Sequence, residues 1–277
     1  MVQVVTTQPY LPCDSTMIRL TDIEERPFET LSYRTSGPKG RILRRTLPIF
    51  RARGRGLPTD VGCAVLASDL QGREIGGQQR LLGEVLAQYL AYLQRVGDIP
   101  PIGIAALCGD LYDYPDCHKR GGTGDVDAVW HAFAAVARHV VGVLGNHDSL
   151  NQPSELPDNV HLLDGDLVGV EGIRVGGVSG IVGDPRRNQR KALPDYLQML
   201  DGVTQKQPDL LLLHQGPDAP DTSRRGDPMV RLALEAGYSG LTVFGHAYWA
   251  DPFVIALGEG QALNVDSRVV LVYPAGE

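Results

Sequence analysis

The side chains of this 277-residue chain that could do chemistry gather at the ends of apolar runs. "VVGVLG" (140–145) reads as a strand, because apolar and branched residues pack against neighbouring layers. It stops in Asn146, His147 and Asp148, which have no packing reason to stand there. The same punctuation recurs along the chain. "VGCAVLAS" (61–68) runs into Asp69 and Gln71, and "IGIAALCG" (102–109) into Asp110 and Asp113. "DLLLLH" (209–214) closes on His214, and "LTVFGH" (241–246) on His246. Open α/β sheets place ligands beyond the carboxyl ends of their strands. Five strands that deliver Asp, Asp, Asn, His and His to one edge describe a metal site. Carboxylate, amide oxygen and imidazole suit Mn, Fe, Zn or Mg better than soft metals.

Helices are expected between these strands. Leu82, Val85, Leu86, Tyr89, Leu90 and Leu93 follow helical spacing, and a helix is expected over 125–139 with Asp125 as its N-cap. "VHLLDGDLVGVEGIRVGGVSG" (160–180) reads as successive strands with glycine turns. Further helices are expected near 193–205 and 228–237, and a strand meander over 253–273. Residues 1–60 are polar, with scattered proline, and end in the basic run "RILRRTLPIFRARGRG". They read as an N-terminal extension with a few short strands, ahead of a main domain at 61–277.

Composition narrows the class. At 43% hydrophobic residues the chain can bury a real core, and a formal charge of −7 with a pI near 5.5 disfavours nucleic acid as the main partner. The four cysteines, Cys13, Cys63, Cys108 and Cys117, form no close pair and are expected to be reduced. No secretory leader and no membrane-length apolar stretch is legible, so a soluble, cytoplasmic protein is expected.

At the strand-end residues the chain resembles the calcineurin-like metallophosphoesterases. That family carries D-x-H, GDxxD, GNHD or GNHE, a lone His and GHxH, each after a strand. Here the same order reads "DLQG", "GDLYD", "GNHD", "LLHQGP" and "GHAY", within residues 61–277. One such motif is weak, and five in order are specific. The resemblance implies an α/β fold, a four-layer α-β-β-α sandwich of two mixed sheets. It implies that Asp110 bridges two metal ions, that Asn146, His214 and His246 complete one site, and that Asp69 serves the other. His147 would assist the leaving group, oriented by Asp148. The implied activity is phosphoester hydrolysis by in-line attack of metal-bound hydroxide, on a nucleotide, a phosphoprotein or a small phosphoester. Two divalent ions about 3.5–4 Å apart neutralise phosphoryl charge and make hydroxide available near neutral pH. A catalytically weak or inactive protein of the same fold, binding phosphate ligands or acting as a scaffold, is the alternative.

Two positions depart from the family pattern. Gln71 stands where D-x-H has His, and Tyr248 where GHxH ends in His, so both lost imidazoles belong to the Asp69 site. Three readings follow. The site keeps a metal on oxygen ligands (Asp69, Asp110, Gln71, Tyr248), which favours Fe or Mn. It is weak or empty, and one ion per chain suffices. Or the protein is not catalytic. Elsewhere, "GDPRRNQRK" (183–191) offers Arg186 and Arg187 as phosphate contacts, with a solvated charge run as the plainer reading. The basic run with Arg41, Arg44, Arg45, Arg51, Arg53 and Arg55 could touch a polyanion or lie on the acidic body. Tyr112, Tyr114 and Trp249 could line a pocket or simply pack, and His118 could replace a lost imidazole or be an ordinary loop histidine.

Overall fold

The structure, a computed structural model, describes residues 17–119, 122–219 and 224–275. Cys13 and the first part of the expected extension lie outside them; Cys63, Cys108 and Cys117 are buried free thiols, as expected. The chain begins with strands β1 (Arg19–Ile23), β2 (Glu29–Ser36) and β3 (Ile42–Arg55). Then come β4 (Cys63–Ser68), α1 (Leu82–Val96), β5 (Ile102–Leu107), β6 (Gly124–Asp125), α2 (Asp127–Ala134), β7 (Ala137–Gly142), β8 (Asp148–Ser149) and β9 (Val160–Leu162). The second half holds β10 (Asp166–Val170), β11 (Ile173–Val178), β12 (Ile181–Val182), β13 (Arg190–Lys191), α3 (Leu193–Thr204), β14 (Leu210–Gln215), α4 (Pro228–Glu235) and β15 (Leu241–Gly245). It closes with β16 (Val254–Leu257), β17 (Gly260–Asn264) and β18 (Arg268–Pro274).

These elements make a mixed α/β protein, the expected class. One sheet runs β1-β3-β18-β4-β5-β7-β9, with β2 on β3, and the other runs β10-β11-β14-β15-β17-β16. The pleat explains the core. In β4, Ala64 and Leu66 share a cluster with Leu211, Leu213 and Val243 of the second sheet, whereas Cys63, Val65 and Ala67 pack with Leu86 and Leu90 of α1 and Trp130 of α2. Successive strand residues face opposite ways, so a strand buried on both sides must be apolar throughout. On the second sheet, Tyr196, Leu200 and Val203 of α3 and Val230 and Leu234 of α4 join the shared cluster. No helix among the described residues is long and apolar enough to cross a membrane.

The expected second helix is corrected in its bounds and its cap. The helix expected over 125–139 starts only at Asp127 and stops at Ala134, and Ala137–Gly142 is strand. Residues 137–139 pair with β5 through Ile102↔Ala137 and Ile104↔His139, so sheet pairing overrides local helical spacing. The N-cap position falls on Val126, not on Asp125 as expected; Asp125 lies in β6, paired with β8, yet its Oδ1 still accepts from the Asp127 amide at 3.0 Å. Within the segment read as an extension, the expected strands are present, and β3 pairs in parallel with β18 from Ile49↔Val269 to Gly54↔Pro274.

Candidate metal centre

Strand order positions the site. β4, β5 and β7 are parallel neighbours in one sheet, and β14 and β15 in the other. Their carboxyl ends carry Asp69, Asp110, Asn146-His147, His214 and His246 to a common edge. Asp69, Asp110 and His246 have φ of 53°, 54° and 67°, a left-handed turn taken within three residues of each strand's end. That conformation costs side-chain-bearing residues on the order of 1 kcal/mol each and clusters at functional sites. Two motif glycines are there for closeness. A Cβ on Gly145 would lie 2.1 Å from Asp110 Oδ1, and one on Gly245 would lie 2.2 Å from Asp69 Oδ2. The glycines thus let the backbone of one strand end press against the carboxylate of another.

Asp110, His214 and His246 offer ligand atoms that all lie within 4.8 Å of one another, the one such group among the described residues. His214 Nδ1 donates to the Cys108 carbonyl (2.7 Å), which turns Nε2 to Asp110 Oδ1 at 3.3 Å. That 3.3 Å contact with Asp110 is too poorly aligned to count as a hydrogen bond, and Oδ1 of Asn146 is buried without a hydrogen-bond partner. Buried polar atoms are almost always satisfied, so the orphan Asn146 oxygen beside a carboxylate and two imidazoles is what a cation could satisfy. The donor set, one carboxylate, one amide oxygen and two imidazoles, suits a first-row divalent ion.

The charges are strongly coupled. Burial alone would lower the His214 pKa, but the nearby Asp110 carboxylate outweighs it and the imidazole rises to about 10. Burial pushes Asp110 up, and His214 and His147 reverse this, leaving it below the usual carboxylate range. Desolvation and the His214 charge hold His246 down, at about 4. Burial, then the Asp266 carboxylate, raise Asp69 well above its usual range.

His147 stands beside the cluster, its Nε2 3.9 Å from Asp110 Oδ2. Its Nδ1 meets the Gly122 carbonyl at 3.1 Å. A carbonyl only accepts, so Nδ1 carries the proton and Nε2 faces the site. The orienting role expected of Asp148 therefore falls to Gly122. The Asp148 carboxylate instead accepts from the amides of Asp110, Leu111, Tyr112 and Gly145 at 2.7–3.3 Å, bracing the two strand-end turns against each other. Burial and the Asp110 charge raise it to about 7.

Around the Asp69 side, Gln71 Nε2 donates to Asp110 Oδ2 at 3.2 Å, so Gln71 does reach the centre. Asp69 Oδ2 accepts from Ser68 Oγ and from the His246 amide, both at 2.8 Å. Tyr248 does not join them. It is 62% exposed, and its ring lies over the Arg268 guanidinium, 4.7 Å from charge to centroid. Arg268 is 3% exposed, and a cation desolvated that far gains from an aromatic face. Arg186 pairs with Asp184 at 2.7 Å in solvent, and Arg187 is exposed. The parts of that loop tied to the site are Asn188, which donates to the Asn146 and Asp148 carbonyls (3.2 and 2.9 Å), and Arg190, whose charge reaches His246. Asn188 carried no motif signal, and Arg190 looked like part of a charge run. His118 pairs with Asp116 on the surface, and Trp249 is fully buried against Phe244.

No known family profile and no curated protein sequence matches the chain. Solved structures do. One crystal structure superposes with a TM-score of 0.53 at 12% identity, covering 74% of this chain and 90% of its own. TT1561 of Thermus thermophilus gives 0.51 at 15% identity, covering 75% and 90%. At such identities the likeness is one of fold.

Proposed function

We propose that the protein is a metal-dependent phosphoester hydrolase of the calcineurin-like kind, on a four-layer helix–sheet–sheet–helix frame. The observation that carries this reading is the convergence of Asp110, His214 and His246 beside the buried, unpartnered Oδ1 of Asn146. Those four residues would hold one ion. When bound, it neutralises phosphoryl charge and supplies a nucleophile from water near neutral pH. The chain does the rest. Asp148 fixes the turns that carry Asp110 and Asn146, and the Gly122 carbonyl aims His147. His147 Nε2 is placed to hold a proton for a departing ester oxygen.

The position of Tyr248 on Arg268 favours a weak or empty Asp69 site over tyrosinate ligation, and hence one ion per chain. Mn, Fe or Zn suits the ligand set better than Mg, because imidazole supplies two of the ligands. Metal analysis with turnover of p-nitrophenyl phosphate and of bis(p-nitrophenyl) phosphate tests the reading. One equivalent of metal is expected, and Asn146→Ala or His214→Ala should remove metal and turnover together. Metal content unchanged in both variants would sink the ligand assignment. Bound metal with no turnover on either ester would favour a phosphate-binding module on the same fold.

A further inference from the structure

Beside the Asp69 side of the centre runs a narrow cleft lined by Thr35, Ser36, Arg45, Asp69, Gln71 and Asp266, among others. Asp69 and Gln71 belong to the centre, so the cleft opens onto it. The facing wall is the β2–β3 hairpin, which the family motifs do not include. That hairpin is latched to the strand-end turns. Arg34 and Arg73 exchange both backbone hydrogen bonds (2.9 and 2.8 Å), two residues beyond Gln71, and Thr35 Oγ1 donates to Asp113 Oδ2 at 3.3 Å. These three hydrogen bonds fix the wall to the turn that follows Gln71 and to Asp113.

Two of its side chains have no partner among the described residues. Ser36 is 6% exposed, and its Oγ is buried with no hydrogen bond. A buried hydroxyl left alone is costly, and the residue that carries it lines the cleft. Arg45 is exposed and forms no ion pair with a described residue. A guanidinium fork matches two oxygens of one carboxylate or phosphate. The acids of the cleft do not make it a cation site. Asp69 accepts from Ser68 and His246, Asp266 accepts from Ser267 Oγ at 2.7 Å, and neither joins a group of close ligand atoms among the described residues.

We propose that this cleft is a subsite for a second anionic group of the substrate, phosphoryl or carboxylate, held by the Arg45 guanidinium and the Ser36 hydroxyl. The proposal rests on the metal-hydrolase reading and narrows it to phosphoesters that carry a further anion beyond the scissile group.

The test uses the full chain loaded with Mn and titrated calorimetrically. The probes are methylphosphonate, with one anionic group, and phosphonoacetate and methylenediphosphonate, with two. Bound metal is measured on the same samples. The two-anion probes should bind at least about tenfold more tightly than methylphosphonate, the scale of one charge-assisted contact. Arg45→Ala should remove most of that advantage while methylphosphonate affinity stays within about twofold, Arg45→Lys should restore part of it, and Ser36→Ala should cost about threefold or more. Whichever two-anion probe loses more in Arg45→Ala identifies the preferred anion. An advantage that survives Arg45→Ala, with metal still bound, overturns the subsite and leaves the hydrolase reading standing. Failure of the wild-type chain to hold Mn overturns both.

Discussion

His214 sets the charge balance of the centre. Asp110 raises its imidazole to about 10 in the folded protein, above its ordinary 6.5. The folded state binds that proton more tightly than the unfolded chain does. The stabilisation is thus fully present below pH 6.5 and is lost as pH rises through about 10. Metal-free protein should accordingly melt lower at pH 10 than at pH 6, by about 5 °C or more, and His214→Asn should flatten the dependence. Because an ion would replace the Nε2 proton, metal affinity should climb across the same window and loading should release acid, which calorimetry in two buffers reads directly. His147 and Asp148 separate by role. His147→Ala is expected to keep metal and lose roughly 10²–10⁴ in turnover. Asp148→Ala strips the acceptor from three buried amides and one partly buried amide and should cost on the order of 3 kcal/mol in urea unfolding. Normal stability of Asp148→Ala would mean that the turns are held by something else.

Elements decide which of these residues meet. Parallel neighbours end at the same edge, so β4, β5 and β7 bring three motifs together without any helix taking part in the site. The loop between β12 (Ile181–Val182) and β13 (Arg190–Lys191) is a separate piece, tied down by Asn188. Asn188→Ala should lose roughly 1 kcal/mol of local stability. Amide exchange over residues 183–191 should then quicken while β5 and β14 stay protected; uniform exchange behaviour would show that the loop has other anchors.

At the scale of the whole molecule, the first sheet cannot be divided at residue 60. β18 lies between β3 and β4, so removing residues 1–60 would strip one full side of a strand that is buried through Val272. An unpaired apolar edge recruits other chains. The fragment 61–277 is expected to aggregate or to unfold without cooperativity, as judged by solubility and thermal circular dichroism. A soluble fragment with a sharp transition would make the N-terminal strands an appendage after all.

Ligand candidates were legible from sequence because each is a local event: an apolar run sized to a buried strand, broken at once by a polar residue. Asp110, His214 and His246 needed nothing more, and the α/β class follows from the same alternation of runs. What failed was whatever depended on a distant partner. Tyr248 follows the GH motif in sequence, yet Arg268, buried twenty residues on, claims its ring. Asp148 follows His147, yet the amides of residues 110–112 claim its carboxylate. Residues 49–54 find their partners at 269–274, a pairing that no local pattern announces. Hydrophobic periodicity records which face of a segment is buried, and it carries no record of which segment buries it. That choice is made by packing across the whole chain, so it was visible only once the sheets had assembled.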